Sequence, residues 1–324
     1  MTFGEISSDL YRRLNFDAVP ATMVTTRLKA FINQRHRQIL SMPGMELLRD
    51  DNTTFASVAS QANYALGPNI ARVKDIYDGT TNQMKLSERS VQWVRSVDPR
   101  NSATGTPEVW IPLSIKAVQT APAAATALWV KSTSASDNST VTAYVETTRT
   151  GGYRSSASVA MNGVTAAQLG TLSDHIEVDK FYLSASAAGS VTLETAASGG
   201  TVLATIPIGQ AYARYRVIQL WPIPSTVWTY NVDYTREIAD MVNAGDEPLL
   251  PVDFHYLLTI GARVDEYEKM DDDRKAAVMR DWEIGIGRLK NFVINNPDYL
   301  IVPGGGRLMN DSNLGSWYPA GSRW

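Results

Sequence analysis

The chain contains no cysteine, which excludes disulfides, thiolate metal ligands and thiol nucleophiles together. Histidine is nearly absent as well. With only His36, His175 and His255, an imidazole-based catalytic or metal site would need two of them, or one with carboxylates, to converge in the fold. No H-E-x-x-H spacing, no G-x-S-x-G elbow and no phosphate loop followed by Lys-Ser/Thr is present. Charge is sparse, at 19% of residues, and the formal net charge is -3. That balance lacks the positive field of a dedicated nucleic-acid binder, and so few charges point to a surface partly covered by neighbours. No apolar run is long enough to span a bilayer. The start, MTFGEISSDLYRR, has neither a basic n-region nor an apolar h-region, so synthesis in a cytoplasm is expected.

What is present is the composition of a globular protein: 44% hydrophobic residues in a chain of 324, about twice the usual size of one domain. Thr2 and Glu5 form a capping box ahead of Phe3, Ile6, Leu10 and Leu14 at helical spacing. A second helical pattern runs from Thr25 or Thr26 through Leu28, Phe31, Ile32, Arg35 and Ile39 until Pro43-Gly44 stops it. After Arg49 the texture changes to short strand-like runs, ending with Gln83–Ser87 and Val91–Val97. Asp78-Gly79 signals a hairpin turn. An extended apolar stretch, Val109-Trp110-Ile111, follows Gly105-Thr106-Pro107.

Between about Ala117 and Ile208 the chain is charge-poor and Ala, Ser, Thr and Gly dominate. Alternating segments separated by Gly, Ser and Asn predict a β-sandwich, immunoglobulin-like without a disulfide. Asn162-Gly163 and Gly199-Gly200 are expected tight turns. Tyr215–Leu220, a Trp221-Pro222-Ile223-Pro224 turn and Val227–Tyr234 read as a hairpin. Helical texture then returns. Pro251 opens a helix with Phe254, Leu257, Leu258, Gly261, Val264 and Tyr267 on one face, and Asp272 or Asp273 caps another carrying Val278, Trp282, Ile286, Leu289 and Val293. Beyond Asn295 the chain is Gly, Pro, Asn and aromatic residues.

The expected fold class is therefore α+β. Residues 1–116 and 209–295 form a discontinuous helical-bundle core with β hairpins, residues 117–208 form an inserted all-β sandwich, and residues 296–324 form an extended docking tail. Residues Tyr299, Leu300, Ile301, Arg307, Trp317, Tyr318, Arg323 and Trp324 are the candidate docking set, because aromatic and Arg side chains are enriched at interfaces. Asp271, Asp272 and Asp273 lack the spacing of a cation loop and read first as a helix cap; facing a channel, they would repel DNA from its wall. Arg12-Arg13 and Arg35-His36-Arg37 read as solvated helix faces, and Trp129 leaves carbohydrate stacking by the insert open. No residue set points to a cofactor or to catalysis.

The order of the flanking elements resembles the head-to-tail connector, or portal adaptor, proteins of tailed bacteriophages, a group that includes tail tubular protein A-like proteins. The residues that carry this are the N-terminal helix pair, TGTPEVWIP from Thr104, RYRVIQLWPIP followed by YNVDYTREI, and DEPLLPVDFHYLLTIGARVDEYEK. The most specific part is Ile218 to Ala262. The resemblance implies a non-catalytic virion protein of the neck. It would form a ring, commonly dodecameric, that docks under the portal protein, meets a tail or nozzle protein and lets DNA pass through its channel. The insert is a departure from the smaller members. It would project outward, towards a tail fibre or collar protein, or act alone as a surface- or carbohydrate-binding module.

Overall fold

A computed structural model describes residues 1–16, 19–79, 84–294, 299–301 and 307–309. The chain opens with α1 (Phe3–Arg13), where the Thr2 hydroxyl accepts the Glu5 amide and the Glu5 carboxylate accepts the Thr2 amide at 2.8 Å. This reciprocal cap satisfies two donors that a helix start leaves without partners. Helix α2 (Thr22–Leu40) ends before Pro43-Gly44, and Gly44, at φ 85°, leads into a 3-10 turn over Met45–Arg49.

Strands β1 (Asp50–Ala56), β2 (Asn63–Ala65), β3 (Ile70–Asp78) and β4 (Ser87–Glu88) follow. Next come α3 (Val91–Val97), β5 (Thr104–Gly105) and β6 (Val109–Lys116). The α3 segment was expected to be a strand from its β-branched residues, but Ser90 decides otherwise: its hydroxyl accepts the Trp93 amide and starts a helix of two turns. The inserted region carries β7 (Trp129–Ser132), β8 (Thr142–Arg149), β9 (Arg154–Ala160), β10 (Ala167–Gln168), β11 (His175–Leu183), β12 (Val191–Glu194) and β13 (Val202–Ile206). The chain then returns through β14 (Tyr215–Trp221), β15 (Ile223–Pro224) and β16 (Thr229–Arg236) to α4 (Tyr256–Met270) and α5 (Lys275–Ile294). A separate pair, β17 (Tyr299–Ile301) and β18 (Arg307–Met309), is antiparallel.

Helices α1, α2, α4 and α5 enclose one core in which Ile6, Leu28, Ile32, Leu257, Leu258 and Trp282 are buried together. The two ends of the chain thus build one helical unit. The expected helical-bundle core is nevertheless not what carries the flanks, because strands predominate over helices in the described chain. The flanks also contain a β unit with a core of its own. Its antiparallel sheet β1-β16-β3 and its mixed sheet β2-β14-β6-β4 bury Tyr64, Ile76, Trp110, Ile218, Tyr230 and Val232 between them.

The expected hairpin of β14 with β16 is also absent. The two strands lie in different sheets, each at the centre between strands from before the insert. Short β15 instead pairs parallel with β5, which holds the Pro-rich turn between the sheets. The hairpin reading failed because strand pairing across the whole insert is invisible to local turn signals, whereas the paired-proline turn looks like a hairpin tip.

In the insert, sheets β10-β7-β12-β13 and β11-β8-β9 pack over Leu128, Val145, Phe181, Val191, Leu193 and Leu203. In the immunoglobulin order the first two strands are neighbours in one sheet. Here β7 and β8 lie in opposite sheets, so the sandwich has a different topology. The 132–142 connection crosses between the sheets because Asp137 anchors it. Its carboxylate, 1% exposed, accepts the Ser132 hydroxyl at 2.6 Å and the Ala188 and Gly189 amides at 2.8 and 2.9 Å. Gly163, at φ 59°, makes the turn that packs against this loop, and its amide donates to the Asp137 carbonyl.

Insert and helical unit are clasped together. The Gly209 amide donates to the Ala187 carbonyl, and the Asp240 amide donates to the Gly209 carbonyl. The Asp240 carboxylate accepts the Ser186 hydroxyl at 2.9 Å, and the Asn243 amide group reaches the Ala188 carbonyl. At Gly209 a Cβ would lie 2.2 Å from the Asp240 oxygen, and φ is 76°, so only glycine fits this crossing.

Candidate interaction surfaces

The three histidines do not converge on one site. His36 is 2% exposed, its Nε2 accepts the Leu249 amide at 3.3 Å, and burial lowers its pKa to about 4. His255 donates from Nε2 to the Leu250 carbonyl at 2.9 Å. His175, in the insert, bonds the Thr147 hydroxyl through Nδ1 at 2.8 Å, and burial lowers its pKa too. Among the described residues, no group of three His, Asp or Glu side chains is placed to hold a metal ion.

The acidic run at the α4–α5 turn has two roles. Asp271, at φ 53°, is the left-handed residue that closes α4. Asp272 accepts the Arg274 amide at 2.9 Å and forms an ion pair with its guanidinium at 2.6 Å, and these bonds lower its pKa to about 2. Asp273 is exposed. The run therefore ends one helix and precedes the next. The tail residues Tyr299, Leu300, Ile301 and Arg307 fall in the β17–β18 pair, whereas Trp317, Tyr318, Arg323 and Trp324 lie outside the described residues.

Of the basic clusters expected on solvated faces, Arg12, Arg13 and Arg37 are exposed, whereas Arg35 and His36 are buried. Arg12 and Arg13 both hold the Asp9 carboxylate, at 2.6 and 2.7 Å. Arg35 is 8% exposed and binds Asp265 through two nitrogens, while its guanidinium lies 5.0 Å from the Trp282 ring centre. Gly261 makes this approach available, since a Cβ there would sit 2.6 Å from Trp282 Cζ3 and 2.8 Å from Arg35 Cγ. Nearby, Arg27 forms a two-pronged bond with Glu266, which is fully buried. These pairs tie α2 to α4, and planar guanidinium-carboxylate geometry fixes their relative rotation as well as their distance.

Two surface features carried no sequence signal of their own. The first is a row of tyrosines across the outer face of the insert, where Tyr144 stacks on Tyr182 at 5.1 Å and Tyr182 on Tyr212 at 6.0 Å. Arg214 lies over the outer Tyr212 at 5.3 Å. The residues come from β8, β11 and the segment after β13, so only the fold aligns them.

The second is a groove beside the β6–β14 ribbon that leads from the β unit to the insert. Two open clefts of about 400 and 420 Å³ share Ile115; Arg72 and Arg216 line one, and Lys116 and Arg214 line the other. None of these four cations has an ion pair or a side-chain hydrogen bond among the described residues. Other cations of the β unit are matched, among them Lys74 with Asp50, Lys85 with Asp75 and Arg236 with Asp51. Alternation of Arg214 and Arg216 was legible, but their convergence with Arg72 was not. No family model matches the chain, and no curated protein matches it.

Proposed function

We propose that this chain is a structural virion subunit that assembles into a ring, joins the portal at the capsid vertex to the tail, and continues the DNA channel. The observation that supports this reading best is the closed construction of the host. Its N-terminal and C-terminal helices share one core, its central strands come from opposite sides of the insert, and the insert leaves and returns through the paired strands β6 and β14. A scaffold closed in this way tolerates a bulky appendage without loss of its own packing. The resemblance in element order supplies the class of assembly, with twelve copies as its common number. The C-terminal segment is then the docking element for the portal or a neighbouring copy, and the virion neck is the location.

Co-sedimentation with the purified portal protein tests the reading. Comigration in fixed proportion is expected, and a chain that remains free over a wide concentration range would reject it.

The tyrosine row favours a second reading, in which the insert is a surface-binding module for a fibre or a carbohydrate. Stacking of the rings on one another, however, leaves mainly their edges and hydroxyls to a ligand rather than the open faces that sugar stacking uses. Deleting residues 117–208 separates the two readings. Particles that join heads to tails normally support the ring, whereas assembled particles that adsorb poorly support the module.

A further inference from the structure

The segment Pro112–Lys116 of β6 is an unusual strand. All five of its residues are exposed, although its inner edge pairs with β14 on both sides of a bulge at Leu113. On the outer edge, β4 pairs only with Val109 and Trp110. Beyond them, no strand or loop among the described residues pairs with that edge. Proteins commonly blunt such an edge with a charge pointing inward, a bulge or a covering element. Here the bulge at Leu113 leaves the edge uncovered, with Leu113 and Ile115 exposed at 37% and 50%. Pro112 stands at the start of the open stretch and leaves the main-chain donors of the next four residues intact.

The cations around this edge define what fits it. Arg72, Arg216, Lys116 and Arg214 border the two clefts that flank Ile115, and none is matched by an acid among the described residues. Glu88 lies in the first cleft, and Glu146 and Asp179 in the second. Of these, Glu146 is engaged by Lys180 at 2.9 Å and Asp179 accepts the Thr148 hydroxyl at 3.2 Å. A nucleic-acid strand is the poorer match, because the floor offers apolar side chains and main-chain donors and acceptors. Stacking rings are not available there: the faces of Tyr182 and Tyr212 are already covered.

We propose that the outer edge of Leu113–Lys116 is a β-augmentation site that receives an extended segment of a partner protein in which apolar and acidic residues alternate. Main-chain hydrogen bonds to the open edge supply register and affinity, Leu113 and Ile115 receive the apolar side chains, and the four cations select the acidic ones. The site requires neither the ring nor the portal, so it stands apart from the assembly reading.

The test uses the full chain and a fluorescently labelled short peptide of alternating Glu and Val, with an alternating Lys and Val peptide and a short DNA duplex as comparators. Saturable binding of the acidic peptide is expected, with slowed hydrogen exchange at the outward-facing amides of Leu113–Lys116, since alternate amides of the strand already bond to β14. Arg72→Glu combined with Arg216→Glu should weaken binding about tenfold or more. Arg72 is exposed, Arg216 is half-buried, and neither has an ion pair among the described residues, so the fold should survive the change, and unchanged thermal unfolding checks this. Ile115→Lys is the second variant and should weaken binding while the open edge stays in place. No binding of the acidic peptide, or protection confined to other amides, overturns the proposal. Equal protection of the same amides by DNA would make the occupant a nucleic acid, and protection on self-assembly without any peptide would make it a second copy. Either result overturns the assignment to a partner protein.

Discussion

The helical unit and the insert use their polar ties over different ranges of sequence. In the helical unit, distant segments are locked by charge: Arg27 with Glu266 and Arg35 with Asp265, each joining α2 to α4 across more than 200 residues of sequence. In the insert the ion pairs, Lys131–Glu194 and Arg149–Asp174 among them, lie within the module, and the loop that crosses between its sheets is held by one carboxylate, Asp137, through a hydroxyl and main-chain amides. A two-ended scaffold has to specify how its ends meet, and paired forks provide that specification at the cost of desolvating four charges. A module whose strands follow one another needs only its loops fixed. The insert can therefore be poor in charge and rich in Ser and Thr without losing a unique fold, whereas the host cannot.

The comparison breaks most readily at Glu266. Arg27→Ala leaves this fully buried carboxylate without its cation, and breaking a buried pair from one side costs about 3–5 kcal/mol. Chemical denaturation should show that loss in the helical unit, and recovery of much of it in Arg27→Ala combined with Glu266→Gln would show that the stranded charge is the cause. In the insert, Asp137→Ala removes the acceptor for three donors and should cost about 2–3 kcal/mol. Hydrogen exchange should speed up across β7 and β12 while α2 and α4 keep their protection. Equal loosening of both units would mean that the clasp at Gly209 and Asp240 makes them one cooperative body.

A smaller effect is expected at Gly261. Alanine there forces its methyl against Trp282 and Arg35, an overpacking of about 1–3 kcal/mol.

The units should also differ in their response to acid, through His36. Burial holds its folded-state pKa at about 4, below the ordinary imidazole value of 6.5. Between those two values the unfolded chain binds the proton and the folded chain does not, so stability falls as pH is lowered through this window, by at most about 1.4 kcal/mol per pH unit. His36→Gln should flatten this slope in the helical unit. An unchanged slope would place the proton uptake elsewhere, His175 being shifted in the same direction. The smallest effect belongs to the tail. Truncation after Pro297 should leave the unfolding midpoint unchanged while weakening portal docking, because β17 and β18 pair only with each other among the described residues.

Much of the local structure was legible in the sequence. The Thr2–Glu5 box, the stop at Pro43-Gly44 and the stripe Val278, Trp282, Ile286, Leu289 and Val293 all appear where the pattern places them. Local signals have a range of a few residues, and the readings failed where the deciding contact lay further off. A β-branched run became α3 through one serine cap. The apparent β14–β16 hairpin was divided between two sheets by partners from before the insert. Arg35, polar and in a basic triplet, is buried because Asp265 and Trp282 meet it from α4 and α5. The same limit hid the groove: its four cations are ordinary one by one, and only the fold shows that they share an unpaired strand edge.

Imaging the purified chain by negative-stain electron microscopy, alone and mixed with its portal protein, addresses the central claim most directly. The account predicts closed rings of uniform size stacked coaxially on the portal, with the insert visible as a projection that disappears when residues 117–208 are removed. Monomers alone, with the portal unoccupied across a wide concentration range, would contradict it.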